Sequence, residues 1–289
     1  MMSALLRKFL GRIDFYSGVL TQDYRRRAFK DYNTFTLLRN TLRPYMGDIR
    51  GKFIIDIGCG RRYPYTLLFH SLGNHVVGID SSYIAHDDLW VRRYWTELTR
   101  NGVESFSRTL LFDILKQRKT YYNTLQSLCD FPLSYRGFVF EQMNAQNLFF
   151  PDETFDLAVS VLCFEHIANV SKAISEVHRV LKMGGFAYIQ AHLFTSRTGG
   201  HHLGKQFDKV PPWDHLRQNR FPVPIYMNKL RKAEWLKLFS QKFEILEVLN
   251  ETDKDGEKLL TPKILDELSE YSIDELLTST ITIVARKRS

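Results

Sequence analysis

Four histidines in the second half of the chain have the chemistry to move a proton. His192 ends an apolar run, His201 and His202 follow a glycine pair, and His215 lies in a Trp-Asp-His-Leu stretch. A neutral imidazole accepts a proton near pH 7, so each is a candidate general base toward a hydroxyl group. Each is equally a candidate for a hydrogen-bonded structural residue, and the sequence leaves both interpretations open.

The same histidines are weak candidates for metal ligands. His201 and His202 are adjacent on one predicted loop, which is poor geometry for joint ligation. No cysteine or carboxylate lies at ligand spacing from them. The sequence therefore predicts no metal site.

A second group of polar residues follows two apolar runs that are typical of buried parallel strands. The run 53–57 contains Asp56 and leads into Gly58-Cys59-Gly60, and the run 75–80 ends in Asp80, followed by Ser81. A glycine turn lets a nucleotide-like ligand approach the backbone, and an acid that ends the second strand can accept both ribose hydroxyls. A dinucleotide-binding turn would need glycine where Tyr63 stands, which disfavours a nicotinamide cofactor.

Further motifs follow in a fixed order. Asn144 and Ala145 open the stretch 144–156, and an apolar run over 157–164 contains Cys163 and leads into Glu165-His166. A helical pattern over 173–181 then ends at Lys182-Met183-Gly184-Gly185 and is followed by a strand-like run over 186–190. A cation and a glycine pair are typical of a helix end.

This array resembles the class I S-adenosylmethionine-dependent methyltransferases, from about Lys52 to Gln190, and most specifically over 144–185. The resemblance implies an α/β fold with a Rossmann-like seven-stranded sheet, mostly parallel with an antiparallel strand seven, and helices on both faces. It implies S-adenosylmethionine as cofactor, and His166 as a residue that shapes the turn after strand four. The implied cofactor-binding residues are Asp56, Gly58, Cys59, Gly60, Asp80, Ser81, Asn144, Ala145, Cys163 and Glu165.

Two positions depart from the family pattern. Arg62 stands where the family usually has a third glycine, and Asn144 stands where an aspartate is common. Arg61 or Arg62 could face the cofactor carboxylate, or both could point to solvent. The carbonyl oxygen of Asn144 could still accept from the adenine amino group.

The patterning divides the chain into an N-terminal helical cap, 1–50, and a methyltransferase domain, 51–289. Helical spacing predicts an insertion at about 83–135, either a lid over the ligand or a peripheral helical pair. Strand three is predicted near 137–142, a helix over 226–239, and strands six and seven over 243–250 and 279–285. The stretch 251–275 is predicted to be surface helix and loop.

The composition is that of a globular protein, with 44% hydrophobic and 25% charged residues and a net charge of +8. The segment 1–52 holds most of the positive excess, with its densest run at 25–27. Apolar residues recur in it at helical spacing, namely Leu5, Leu6, Phe9, Leu10, Ile13 and Tyr16. Such a helix either caps the domain or lies on an anionic membrane surface. Nucleic acid is an unlikely partner, because no RNA-binding motif is present.

An odd number of cysteines, three, favours a reduced, cytoplasmic setting. No apolar run approaches the roughly 20 residues that span a bilayer. The loops after strand five are similar to those of methyltransferases associated with polysaccharide biosynthesis, and Trp213 could stack on a sugar. We therefore expect O-methylation of a small-molecule or glycan hydroxyl. The alternatives are a non-catalytic binding subunit with this fold, and an RNA or protein methyltransferase.

Overall fold

One seven-stranded sheet organises the protein, whose computed structural model describes residues 23–84, 90–202, 209–221, 223 and 225–288. The spatial order is β3-β2-β1-β4-β5-β7-β6. Only β7 runs antiparallel to its neighbours, so the predicted fold class is confirmed. The strands are β1 Phe53–Ile57, β2 His75–Asp80, β3 Val139–Gln142, β4 Phe155–Val161, β5 Leu181–His192, β6 Phe243–Thr252 and β7 Thr278–Lys287.

The centre of the sheet determines where a ligand can bind. The strand order reverses between β1 and β4, whose register places Ile55 opposite Ala158 and Asp56 opposite Val159. In open α/β sheets, the crevice at the carboxyl ends of the strands beside such a reversal is the usual ligand site. The turns after β1, β2 and β4 all open onto this edge.

Helices cover both faces of the sheet. On one face α6 and α7 pack against β1, β4 and β5, and on the other α1, α2 and α5 pack together. No helix within the described ranges is long and apolar enough to cross a membrane. The helices are α1 Tyr24–Met46, α2 Pro64–Ser71, α3 Trp90–Thr96, α4 Gly102–Ile114, α5 Gln117–Leu128, α6 Val170–Val180, α7 Lys232–Ser240, α8 Lys254–Glu257, α9 Pro262–Glu267 and α10 Ile273–Leu277, with a π-helical segment Glu97–Asn101 between α3 and α4.

The predicted N-terminal cap corresponds to a single helix in the described part of the chain. Asp23 caps α1 by accepting from the amides of Arg25 and Arg26, and Tyr121 of α5 donates to Asp31 of α1 over 2.7 Å. The cap thus packs on the helical insertion as well as on the sheet. The predicted amphipathic residues of 5–16, and with them the membrane-contact hypothesis, lie outside the described residues.

The predicted insertion is helical and consists of α3, α4 and α5. Tyr121 and Leu125 of α5 are completely buried among residues of α1 and α2. Because α5 is part of the core on this face, it forms a fixed wall of the domain. The lid interpretation therefore applies only to α3 and α4.

Three sequence predictions about the C-terminal third need correction. The helix predicted over 226–239 begins only at Lys232, because the Asn228 side chain donates to the Phe164 carbonyl and holds the preceding segment against the turn after β4. The stretch 251–275 is not merely surface, since Ile264 and Leu268 pack around Trp213. Trp213 is fully buried and donates to the Leu276 carbonyl, so its predicted stacking on a sugar is wrong.

Candidate active site

The turn after β1 is fastened to the end of β2 through its own backbone. The amides of Gly58 and Cys59 both donate to the Ile79 carbonyl, over 2.8 and 3.1 Å. The amide of Gly60 donates to the Asp80 carboxylate over 3.0 Å. Dinucleotide-binding turns instead direct such amides at a pyrophosphate. These three amides are therefore already paired within the protein, and the absence of a dinucleotide cofactor stays a prediction.

The two glycines of this turn serve different purposes. Gly58 has φ +74°, and a Cβ placed there would lie 2.2 Å from Cys163 Sγ. Gly60 has φ +64°, and a Cβ there would meet nothing within 4 Å. Gly58 thus lets the turns after β1 and β4 touch, with Cys163 between them, while Gly60 opens on the cleft. An open glycine beside the Asp80 carboxylate fits an adenosyl cofactor, whose ribose needs an acceptor near the backbone.

Asp56 lies beneath the turn and not in the cleft. It is buried, and its Oδ2 accepts from the amide and the hydroxyl of Thr66 over 2.9 and 2.6 Å. Burial raises the pKa of this carboxyl to about 7. These contacts fix the first turn of α2 against β1, and a direct contact between Asp56 and the cofactor stays a prediction.

The ends of β2 and β3 complete this half of the site. Asp80 also accepts from the Ser82 amide, and its carbonyl accepts from the Met143 amide over 2.9 Å. Ser81 is exposed beside it, and its carbonyl accepts from Gln142. The bond from Met143 brings the following residue, Asn144, to the same edge of the sheet as Asp80.

The side-chain oxygen of Asn144, predicted to accept from the adenine amino group, already has partners within the protein. Its Oδ1 accepts from the amide and the side chain of Gln146, over 2.9 and 3.2 Å. With both lone pairs engaged, the side-chain nitrogen is the group left to meet an adenine ring. Ala145 is half-buried against the core, so its cofactor contact stays a prediction.

A cleft of about 1220 Å³ opens above the Gly58–Gly60 turn. This exceeds the roughly 300–1,000 Å³ of a typical single-ligand pocket, so a cofactor and an acceptor fit side by side. The carboxyl end of β5 and the loops after β6 form one wall, and α1 forms the other. Six basic residues line the cleft, namely Arg26, Arg27, Lys30, Arg61, Arg62 and Lys254.

The contacts of Arg62 with α5 explain why this position departs from the family pattern. Its guanidinium lies 5.8 Å from the centre of the Tyr121 ring, and its carbonyl accepts from the Tyr122 hydroxyl. Position 62 therefore faces α5 of the insertion, which favours a large side chain over glycine. Nε of Arg62 and Nη1 of Arg61 are buried without hydrogen-bond partners among the described residues. Of the two alternatives, solvent exposure of both guanidiniums does not hold for Arg62, whereas the Arg61 side chain is partly exposed and lies 3.8 Å from Glu97.

His192 is the one predicted base that lines this cleft. It ends β5, and its Nε2 lies 2.9 Å from the Thr198 hydroxyl. Burial lowers its pKa to about 4, so the ring is neutral near pH 7. A neutral imidazole beside the cofactor turn is able to accept a proton from an acceptor hydroxyl.

His201 lies beside His192 and against the turn after β4, and it is not among the residues that line the cleft. The centre of its ring lies 4.9 Å from that of His192 and 5.1 Å from that of His166. Burial and the surrounding imidazoles lower its pKa to about 3. Glu165 lies in the same group, and burial raises the pKa of its carboxyl to about 8. No local sequence pattern indicates that these residues come together, because three separate segments contribute them.

The other two predicted bases lie elsewhere. His215 is buried, with Nε2 2.7 Å from the Phe194 carbonyl, so it supports the loop after β5. It does not line the cleft, and its role as a base stays a prediction. His202 lines a separate cavity of about 220 Å³ with Pro211 and Pro212. Burial lowers the pKa of both rings. The predicted catalytic group therefore divides into His192 in the cleft, His201 behind it, and two residues outside.

Two parts of the cleft were missed by the sequence reasoning. Thr198, which contacts His192, lies in a stretch that the sequence predicts only as loop. The basic wall on α1, formed by Arg26, Arg27 and Lys30, lies in a segment whose charge predicts a cap helix or membrane contact. The run 25–27 was its only sequence signal. The loop after β5 is held by Arg197, which makes a bidentate ion pair with Asp253 over 2.7 and 3.1 Å.

Comparison with known proteins gives one family match. Residues 93–189 match the model of a methyltransferase domain, a range that covers β3, β4 and most of β5. No curated protein matches the sequence.

Solved structures of methyltransferases are similar in fold. One is an S-adenosylmethionine-dependent methyltransferase from Mesorhizobium loti, with 15% identity, 86% of this chain and 96% of that chain covered, and a TM-score of 0.49. Another is the YcgJ protein from Bacillus subtilis, with 20% identity, 89% and 99% covered, and a TM-score of 0.48. A third is phosphoethanolamine N-methyltransferase 2 from Haemonchus contortus in complex with S-adenosyl-L-methionine, with 15% identity, 89% and 53% covered, and a TM-score of 0.48.

The family match falls on the part of the sheet that carries the turn after β4. The strand order with its antiparallel β7, the Gly58–Gly60 turn and Asp80 at the end of β2 supply the rest of the pattern. Residues 93–189 therefore match a methyltransferase domain, and the sheet has the strand order expected of a class I S-adenosylmethionine-dependent methyltransferase.

Proposed function

We propose that the enzyme methylates a hydroxyl oxygen of a small-molecule or glycan acceptor. The observation that carries the proposal is the position of His192, which lines the same cleft as Gly58 and Gly60. A hydroxyl acceptor must lose its proton when it is methylated, whereas many other acceptors need no base. A buried imidazole at this position supplies one.

Different residues of the cleft bind the cofactor, exclude water and accept the proton. When bound, S-adenosylmethionine supplies an electrophilic methyl group on a sulfonium. Asp80 and the turn after β1 hold the adenosyl end, and the walls formed by α1 and the loop after β5 limit access of water. His192 holds the proton at its ring nitrogen, and Thr198 orients that ring through the bond to Nε2.

The basic wall favours an acceptor that carries negative charge. Arg26 and Lys30 of α1 face the cleft together with Arg61 and Arg62. Nε of Arg62 lacks a protein hydrogen-bond partner among the described residues, and Nη1 of Arg61 lies 3.8 Å from the Glu97 carboxylate, beyond hydrogen-bond distance. A phosphate or carboxylate would provide acceptors for both. A phosphorylated sugar combines such a group with free hydroxyls, and we propose it as the preferred acceptor class.

The acceptor class is tested by methyl transfer from radiolabelled S-adenosylmethionine. Sugar phosphates and nucleotide sugars are compared with their neutral sugars, with tRNA and with a protein extract. We expect label in the charged sugars, at an oxygen identified by mass spectrometry. Label in tRNA or protein while all sugars stay inert would overturn the proposal.

The role of His192 is tested by His192→Asn, which removes the base but keeps a polar side chain. We expect kcat to fall by about 10²–10⁴-fold with little change in KM, because base catalysis acts in the transition state. His75→Asn is the matched control, since His75 is exposed at the amino end of β2. Equal kcat in His192→Asn and wild type would rule His192 out as the base.

A further inference from the structure

Three groups with ligand chemistry converge behind the cleft. Glu165 and His166 lie on the short 3₁₀ turn Phe164–His166, and His201 comes from the loop after β5. One atom from each, a carboxylate oxygen and two imidazole nitrogens, lie within 4.8 Å of one another. Two imidazoles and one carboxylate are a donor set that divalent transition metals use in open sites.

The groups are left unsatisfied by the protein. Glu165 is 1% exposed, and neither of its carboxylate oxygens has a hydrogen-bond partner among the described residues. Hydrogen bonding from the backbone of Glu165 and His192 acts on this carboxyl and lowers its pKa, but burial, which raises the pKa, has the larger effect. Nε2 of His201 is likewise buried and without a partner. Burying polar groups in this way is costly, and a bound cation would remove the cost for all of them at once.

His166 is already oriented in the manner of a metal ligand. Its Nδ1 lies 2.9 Å from the Tyr226 carbonyl. Because a carbonyl can only accept, Nδ1 carries the proton and Nε2 keeps its lone pair. Ligating histidines usually donate their second nitrogen to such a carbonyl, which fixes the tautomer and the ring orientation.

The backbone of His201 is strained in a way that places its ring. Its φ is +50°, in the left-handed region that costs a residue with a side chain roughly 1–2 kcal/mol. Its amide donates to the Thr198 carbonyl over 3.0 Å, which holds the turn. Strain of this kind persists where a function requires the geometry.

We propose that Glu165, His166 and His201 bind one divalent first-row transition-metal ion, with the remaining coordination positions open. The site lies against His192, which lines the cleft, and His201 also lines the smaller cavity of about 220 Å³. A small contraction of the three side chains brings their atoms to bonding distance. The inference concerns metal binding alone and holds whatever the methyl acceptor is.

The test measures metal on the intact chain, with any affinity tag removed. Protein stripped with EDTA is dialysed against Zn²⁺, Mn²⁺ or Mg²⁺, and bound metal is counted by mass spectrometry. We expect one Zn²⁺ or Mn²⁺ for each chain and no retained Mg²⁺, since imidazoles favour the transition metals. Cobalt(II) should give visible absorption bands that report its coordination.

Variants separate the site from adventitious binding. His201→Ala and Glu165→Gln should lose the ion, with affinity weakened by more than the roughly 10–100-fold that follows loss of an outer-shell partner. His202→Asn, on the next residue of the same loop, should retain it. Zn²⁺ should also raise the Tm of the wild type and of His202→Asn but not of the two ligand variants.

Two results would overturn the proposal. One is a stripped wild type that takes up no Zn²⁺ and no Mn²⁺. The other is uptake that is equal in wild type, His201→Ala and Glu165→Gln. Far-UV circular dichroism of each variant shows whether it is folded, and Glu165→Gln keeps the shape of the side chain, so loss of metal there cannot be assigned to a cavity.

Discussion

The turn after β1 and the loop after β5 face the same cleft but treat their polar groups in opposite ways. In the first, the amides of Gly58, Cys59 and Gly60 all have partners on β2. In the second, His201 keeps a buried nitrogen without a partner among the described residues, and it meets an equally unpaired Glu165.

This difference indicates that the turn after β1 serves mainly as scaffold and that the loop after β5 serves mainly in the chemistry. A turn whose groups are satisfied within the protein is stable without ligand and presents a fixed surface to the cofactor. A loop whose buried groups lack partners is less stable than it could be, and such a deficit is usually kept for function. Substitutions in the first region should therefore cost stability, and substitutions in the second should cost little stability and much activity.

The largest expected effect on stability is that of Gly58→Ala. The added Cβ would lie 2.2 Å from Cys163 Sγ, and φ is +74°. Backbone strain and overpacking together should lower the free energy of unfolding by about 3 to 5 kcal/mol. Urea denaturation of wild type and variant measures this difference in the free energy of unfolding.

Gly60→Ala is the matched control, because its φ is also positive but its Cβ would meet open space. It should cost only about 1–2 kcal/mol, the strain alone. Equal losses in the two variants would show that the contact between Gly58 and Cys163 does not limit the turn.

A smaller, pH-dependent effect is expected for Asp56→Asn. The folded carboxyl keeps its proton up to a pKa of about 7, against 3.8 as its ordinary value. Between these values the folded state binds more protons than the unfolded state, so wild-type stability falls as pH rises. Relative to wild type, the variant should gain about 2 to 4 kcal/mol from about pH 4 to about pH 7, and nothing further above. Parallel stability curves for the two proteins would contradict the buried, protonated Asp56.

The smallest effect on stability is expected in the loop after β5. His201→Ala removes a buried nitrogen that has no partner, so in metal-free buffer it should change the free energy of unfolding by less than about 1 kcal/mol. His215→Ala removes the bond to the Phe194 carbonyl and leaves a cavity, and should cost about 2 kcal/mol. Thermal or urea unfolding of both compares them, and a larger loss in His201→Ala than in His215→Ala would contradict the unpaired state of the His201 nitrogen.

The sequence predicted the scaffold well because local rules determine it. The bounds of β1 and β2 agree with the apolar runs, and the strand order follows from alternating strands and helices. Glu165 and His192 were each marked by the end of a strand. Their position at one edge of the sheet follows from parallel pairing alone.

The rest depended on contacts that no local pattern encodes. Trp213 and His215 lie in a loop, yet both are buried, since Trp213 packs on α9 and α10 and His215 beneath the loop after β5. The helix at 232–240 starts late because Asn228 reaches back to the turn after β4. Arg62 departs from the family pattern, and the structure explains it because the guanidinium packs on the Tyr121 ring of α5. Each correction involves residues far apart in sequence.

The most direct test of the account is calorimetric binding of S-adenosylmethionine and S-adenosylhomocysteine to wild type and Asp80→Ala. We expect micromolar binding of both, on the order of −8 kcal/mol, and no binding of NAD. Asp80→Ala should lose at least about tenfold in affinity while circular dichroism shows an intact fold. Failure of the wild type to bind either compound, or full affinity in Asp80→Ala, would contradict a cofactor site formed by the Gly58–Gly60 turn and the end of β2.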